Sequence, residues 1–403
     1  MDPLLAICSS IQPITDQTIF QVDIISLPSQ HPILEVVSYP PPEVHVQRDY
    51  IDQILTGQSI YSTIRDFIDN INLHILVKNR AGNKLINMLF VYPGLVTAIP
   101  QSIDQLISRR IIDSINLSSN HSLSICDIAG GPGSWSLAML ERFPNSQITG
   151  VTLYDEPFLW YGELSNHSRF DGFYYDLITD YRSFVDKVLI KHPNGVDLCM
   201  CDGGNAYTNT DVSRSDLSPA EHKLSNIMIK ARLITVEILT SLLVSAINGN
   251  LILKIFYRDH PIMMSLITII GLCYQHISII KPVTTRVASK EVYVIGLYRR
   301  VNVEDVINHL TSILDNWDSY SHPFTVVEVS EDVRELVERG LESESIQYHQ
   351  VKTGLREVIK GVLEITDEPD ISDIKEYLAI NGSKYIVNRD LNTYLLGVLL
   401  TGN

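Results

Sequence analysis

The stretch Cys126-Asp127-Ile128-Ala129-Gly130-Gly131-Pro132-Gly133-Ser134-Trp135-Ser136 decides the fold of this chain. It closes the strand-like run Ser122 to Ile128, turns through three glycines and a proline, and opens a helix-like stretch from Ser134 to Phe143. Strand, glycine turn and helix in that order put a ligand site at the carboxyl end of a strand. Glycines there admit a close approach, and the helix N-terminus offers free N–H groups. A dinucleotide loop fits poorly: G-x-G-x-x-G begun at Gly131 puts Ser136 at the third glycine and Pro132 inside the turn.

Outward from this loop, strands and helices alternate. Strand-like runs follow at Gln147 to Leu153, Gly172 to Asp176, Val196 to Asp202, Asn250 to Tyr257, Ile277 to Lys281 and Glu291 to Tyr298. Helix-like stretches fall at Tyr181 to Lys191, Pro219 to Ile247 and Pro261 to Cys273. Strands separated by helices predict an α/β fold with a mainly parallel sheet covered on both faces. The last two strands have no helix between them, which predicts an antiparallel pair at one edge.

Three regions follow. Residues 1–70 read as an appendage broken by Tyr39-Pro40-Pro41-Pro42, whose prolines continue neither a helix nor a central strand. Residues 71–300 carry the alternating pattern. Residues 301–403 turn mainly helical and acidic, as in Glu331 to Leu341 with Val333, Leu336, Val337 and Leu341 on one face. The closing run Leu395 to Leu400 is apolar enough to dock.

At 403 residues, 45% hydrophobic and 19% charged, the composition is globular. Pro261 to Ile280 is the longest apolar stretch, but Gly271, Gln275 and His276 interrupt it, so no membrane span is expected. Met1 to Leu5 lacks the basic residues of a secretory signal. Five cysteines with no C-x-x-C pair argue against a zinc knuckle or a disulfide framework, and for a reducing, intracellular compartment, cytoplasmic or nuclear. No metal site is expected.

The net charge of −16 looks wrong for a nucleic-acid binder, but its distribution matters more. From Val301 onward nineteen Asp and Glu face eight Lys and Arg, a local −11 that leaves −5 for the first 300 residues. RNA contact would fall to local basic groups: Arg109-Arg110, Lys223, Lys230, Arg232, Arg258, and the run Lys281, Arg286, Lys290. The acidic C-terminal region suggests a protein contact.

Four charged residues stand in or beside apolar segments: Lys84, Asp202, Lys254 and Glu291. Lys254 lies within Leu251-Ile252-Leu253-Lys254-Ile255-Phe256, and a lysine so flanked is excluded from a core unless it is paired or functional.

The glycine loop resembles the first motif of S-adenosylmethionine-dependent methyltransferases, which implies a Rossmann-like sheet. On that resemblance Asp127, Gly130, Gly131, Pro132, Gly133, Ser134 and Trp135 surround the methionine part of the cofactor. Asp176, with Leu177, meets the adenine, and Asp155 the ribose hydroxyls; Asp202 borders the same site. A helix cap is the alternative role for Asp176. The order Lys84, Asp202, Lys254, Glu291 resembles the K-D-K-E tetrad of FtsJ-like RNA 2′-O-methyltransferases over about Asn79 to Arg300. Asn79-Arg80-Ala81, Cys201-Asp202-Gly203-Gly204, Leu253-Lys254, and Lys281-Pro282 before Arg286 and Ser289 agree in local wording. Asn79-Arg80-Ala81 and Lys281-Pro282 are most similar to the mRNA cap branch, which includes virus-encoded enzymes. That branch implies a capped RNA 5′ end as partner, with Arg80, Arg286 and Lys290 near its phosphates.

The chemistry accounts for the residue types. A ribose 2′-hydroxyl attacking a sulfonium methyl must be aligned and must lose its proton. A neutral amine beside it can serve as base. The resemblance makes Lys254 that base, its pKa depressed by burial and by Lys84, with Asp202 and Glu291 balancing the charge. Ribosomal or transfer RNA as substrate, and an RNA-binding protein without turnover, stay open. Guanine N7 methylation needs no base and would leave Lys254 unexplained.

Overall fold

The computed structural model describes residues 19–22, 58–68, 78–96, 122–204, 219–282, 284–286, 289–319, 325–385 and 395–401. Strand β1 is Ile19–Val22, β2 Ser124–Ile128, β3 Gln147–Thr152, β4 Phe170–Tyr174, β5 Val196–Cys201, β6 Ser245–Ile255, β7 Tyr274–Ile280, β8 Val292–Arg299 and β9 Leu395–Thr401. They form one sheet in the order β1-β9-β7-β8-β6-β5-β2-β3-β4. The run from β4 through β3, β2 and β5 to β6 is parallel throughout. Beyond it β8 runs antiparallel to both β6 and β7, so the antiparallel pairing falls on the side expected from the missing helix. β9 pairs antiparallel with β7, and β1 parallel with β9. The sheet has the α/β character expected from the alternating pattern and the Rossmann-like form that the methyltransferase resemblance implies.

The central strands are apolar on both sides because helices cover both faces. Side chains alternate along a strand, and β2 and β5 display it: Ile125 and Leu198 face one layer, Cys126 and Cys199 the other. On the first face lie α2 (Arg80–Val91) and α3 (Ser134–Arg142), which bury Leu85, Met88, Met139 and Leu140. On the second lie α5 (Leu177–Lys191), α6 (Pro219–Val244) and α7 (Pro261–Cys273), which bury Phe184, Ile234, Leu239 and Ile267. The short α4 (Gly162–Ser165) precedes β4 and inserts Leu164 beneath the glycine loop.

The helix expected to reach Ile247 stops at Val244, and β6 starts at once with Ser245. Asn248 there has φ 64°, and the pairing with β5 shifts between Val196 and Leu198 before the register settles at Asn250. Such a bulge breaks the pattern that periodicity detects.

Past residue 300 the core continues. Helix α8 (Glu304–Asp315) and the start of α9 (Glu331–Leu363) bury Val306, Leu310, Ile313, Val333 and Val337 against the second face. Leu341, expected on that stripe, is exposed instead. The later part of α9 joins α1 (Gln58–Ile68) and α10 (Ile371–Asn381) in a separate cluster that includes Ile64, Val358, Ile359 and Leu378. Residues 58–68 of the expected appendage thus pack on the C-terminal helices. Cys126, Cys199, Cys201 and Cys273 are buried free thiols. Among the described residues no helix is long and apolar enough to cross a membrane. Tyr39 to Pro42, Cys8 and Arg109-Arg110 lie outside the described residues.

Candidate active site

The glycine loop leaves the end of β2 and packs tightly. Gly133 caps α3 with φ 103°, a left-handed conformation that favours glycine. A Cβ on Gly131 would lie 2.2 Å from the Phe158 carbonyl oxygen. Asp127 is fully buried beneath the turn, its Oδ2 accepting from the Ser136 hydroxyl and its Oδ1 without a hydrogen-bond partner among the described residues. Burial raises its pKa to about 7, against the lowering effect of Ser136. Trp135 turns away from the loop's open side. Its indole N–H donates to the Ala81 carbonyl at 2.7 Å, and its ring lies 5.7 Å from that of Tyr293. It therefore fastens α3 to the first turn of α2, the helix that carries Lys84.

A cavity of ≈ 220 Å³ opens beside the loop at the carboxyl ends of β2, β4, β5 and β6. Its walls are Ala129 and Gly131 of the loop, Leu153 and Phe158 after β3, and Tyr175, Asp176 and Leu177 between β4 and α5. Asp202, Gly203 and Gly204 after β5, Leu233 of α6 and Lys254 of β6 complete it. Of the residues expected around a cofactor, Gly131, Asp176, Leu177 and Asp202 border this space. Gly130, Pro132, Gly133 and Ser134 shape the turn, while Asp127 and Trp135 support it from behind. Asp155 is exposed and lies away from the cavity wall. Asp176 caps α5 by accepting from the Ile178 N–H at 3.0 Å and also lines the cavity, so the two roles considered for it coexist.

The four charged residues come from four elements and form two pairs. Lys254 Nζ lies 2.9 Å from Asp202 Oδ1 and also donates to the Asp202 carbonyl. Lys84 of α2 pairs with Glu291 Oε1, both side chains largely shielded at 16% and 14% exposure. Tyr293 joins the pairs: it sits opposite Lys254 in the β6–β8 register, and its hydroxyl donates to Glu291 Oε1 at 2.7 Å. Burial raises the Glu291 pKa, but Lys84 and Lys254 outweigh it and hold the carboxyl below its ordinary range.

For Lys254 the electrostatics run opposite to the expectation. Burial lowers its pKa, but Asp202, Glu291 and Glu237 overcome that effect and leave it above the usual lysine value. Lys84 instead pairs with Glu291. The third carboxylate, Glu237, escaped the sequence reading. It lies fully buried on α6, and its Oε1 accepts from the Gly203 N–H at 3.1 Å. Its one signal was a lone acid within the apolar run Leu233 to Val244. Lys230, one of the basic groups singled out, holds its Nζ 4.0 Å from the Phe256 ring centre, its pKa lowered by burial and by Lys254.

Of the basic groups expected to face RNA, Arg80, Arg286 and Lys290 are all among the described residues. Arg80 begins α2 one turn before Lys84. Arg286 is half-buried, and exposed Lys290 places its Nζ 5.6 Å from the Tyr257 ring centre. Arg232 instead forks onto Asp318 at 2.8 and 3.1 Å, so an acid from the C-terminal region occupies it.

Comparison with known proteins sharpens the reading. The family model described as FtsJ-like methyltransferase matches residues 77–299, more than half of the chain. Cap-specific mRNA (nucleoside-2'-O-)-methyltransferase 1 of Caenorhabditis elegans is 28% identical over 236 residues, 54% of this chain and 24% of that protein. The protein of the same name from Mus musculus is 27% identical over 255 residues, 58% of this chain and 28% of that protein. The chain thus spans about a quarter of the length of the curated relatives it matches. Among solved structures, human methyltransferase-like protein 13 in complex with SAH aligns with a TM-score of 0.35 at 13% identity, covering 61% of this chain and 95% of that one. The match over residues 77–299 takes in the glycine loop, the cavity and all four paired charges, and by it the chain belongs to the FtsJ-like methyltransferase family.

Proposed function

We propose that this chain transfers a methyl group from S-adenosylmethionine to a ribose 2′-hydroxyl of RNA at or near the capped 5′ end of mRNA. One observation carries the reading: two largely shielded amine–carboxylate pairs, Lys254 with Asp202 and Lys84 with Glu291, stand together at the strand ends beside the glycine loop. The names of the curated relatives point to the cap.

The cavity suits the cofactor chemically. Leu153, Tyr175 and Leu177 offer apolar walls for adenine, and Asp176 and Asp202 offer acceptors for its amino and hydroxyl donors. The loop around Gly131 would hold the methionine part. When bound, the cofactor supplies an electrophilic methyl on a positively charged sulfur. Lys254 would orient the 2′-hydroxyl and take its proton as the new O–C bond forms, and Lys84 would help fix the oxygen. Asp202 and Glu291 hold the two amines in place. Because Asp202, Glu291 and Glu237 raise the Lys254 pKa above the usual lysine value in the cofactor-free protein, the rate should climb with pH as more of the amine becomes neutral.

Arg80, Arg286 and Lys290 would meet RNA phosphates around the site, supplying locally the positive charge that the whole chain lacks. The acidic C-terminal region would serve a protein contact. Methyl transfer from labelled cofactor to short RNAs with and without a methylated cap guanosine, with nuclease mapping of the product, tests the assignment. A ribose-methylated product on capped RNA supports it. Equal transfer to capped and uncapped RNA removes the cap while leaving the chemistry.

A further inference from the structure

Glu237 lies behind the turn that follows β5 and carries Asp202. It projects from the middle of α6 into the sheet's carboxyl end, fully buried, and its Oε1 accepts the Gly203 N–H at 3.1 Å. Gly203 follows Asp202, whose carboxylate and carbonyl both hold the Lys254 ammonium. The turn is built around these two side chains. A Cβ on Gly203 would lie 2.4 Å from Glu237 Oε1, and one on Gly204 would lie 3.0 Å from Lys254 Cε. Glycine at both positions lets the turn settle between acid and amine. Among the described residues, Glu237 Oε2 has no hydrogen-bond partner.

We propose that Glu237 is a positioning residue of the methyl-transfer site: it anchors the Asp202-Gly203-Gly204 turn and, through its own charge, tunes how tightly Lys254 holds its proton. The inference rests on the function proposed above. The titratable groups that act on or respond to Glu237 are Lys254 from β6, Asp202 at the end of β5 and Cys201 within β5. Burial raises the Glu237 pKa to about 8, opposed by Lys254 and the Gly203 N–H and reinforced by Asp202. Lys254 titrates above the usual lysine value, where Glu237 is already ionised, so the two charges are present together when Lys254 gives up its proton.

The test separates charge from scaffolding. Glu237→Gln keeps an oxygen for the Gly203 N–H and removes the charge; Glu237→Ala removes both. The readout is NMR of 13Cε-labelled lysine in the cofactor-free protein, with the Lys254 signal assigned through Lys254→Met. The Lys254 midpoint should fall by roughly one unit in Glu237→Gln, the effect of one lost neighbouring carboxylate. The rising limb of the methyl-transfer rate should move to lower pH in the same direction. Glu237→Ala should lose most of the rate, and Glu237→Gln should recover it. An unchanged Lys254 midpoint in Glu237→Gln overturns the proposal. A shifted midpoint in a protein that methylates no RNA leaves the Glu237–Lys254 coupling standing and overturns the proposed function alone.

Discussion

Asp127 sits where the resemblance put a cofactor ligand, yet its carboxyl is sealed under the glycine turn, and replacing it with asparagine has a calculable consequence. Its pKa rises from 3.8 to about 7 in the folded chain, mainly because burial disfavours the anion. An acid raised in this way binds its proton more tightly when folded. Its contribution to stability is therefore fully present below about pH 4, falls as the unfolded chain ionises, and reaches its floor above about pH 7. Three units at 1.36 kcal/mol each amount to about 4 kcal/mol lost at pH 8, and less than half of that at pH 5. In Asp127→Asn the side chain cannot ionise, but its amide oxygen can still accept from Ser136. The variant should gain on the wild type by about 2 to 3 kcal/mol between pH 5 and pH 8, measured by urea unfolding of the cofactor-free proteins. A stability difference that stays constant between the two pH values would refute the reasoning, because the buried carboxyl would then not be titrating in that window.

Other substitutions probe the supports around the site. Trp135→Phe removes the indole bond to the Ala81 carbonyl, which should cost about 1 kcal/mol of stability and, by loosening the helix that carries Lys84, lower kcat more than cofactor affinity. Unfolding and steady-state assays read the two effects, and an unchanged kcat would detach Trp135 from catalysis. Arg80→Ala and Lys290→Ala should each weaken RNA binding regardless of sequence and reduce the salt dependence of log K by about 0.7 if each meets one phosphate. Binding isotherms at several salt concentrations would show no change of slope if these groups stay in solvent.

Much of the fold was readable because the physics was local. The five parallel strands announce themselves as apolar runs, and two-sided burial is why Val196 to Cys201 and Leu251 to Leu253 carry so few polar residues. The missing helix between β7 and β8 told of antiparallel pairing. The place of β8 between β6 and β7 depends on contacts distant in sequence and left no local mark. The same divide runs through the site. Lys254 stood out because its own neighbours are aliphatic, whereas its choice of Asp202, and that of Lys84 for Glu291, is made by four elements meeting in space. Glu237 was missed because an isolated glutamate in a helix normally faces water, and only the position of Gly203 reveals why this one does not. The expectation of a depressed Lys254 pKa let burial and Lys84 outweigh Asp202 and Glu291, and it lacked Glu237, the third carboxylate that the fold brings to the amine.

The central claim is that Lys254 takes the proton of the attacking hydroxyl, and Lys254→Arg tests it most directly. Guanidinium keeps the positive charge beside Asp202 but stays protonated and cannot act as base. Single-turnover methyl transfer to capped RNA, with cofactor binding measured by calorimetry on the same samples, separates chemistry from folding. The account predicts that the variant binds cofactor, since the glycine loop and Asp176 are untouched, and transfers essentially no methyl at any pH, while the wild-type rate climbs with pH. An arginine variant that retains most of the wild-type rate would contradict it and reduce the paired charges to an electrostatic clamp.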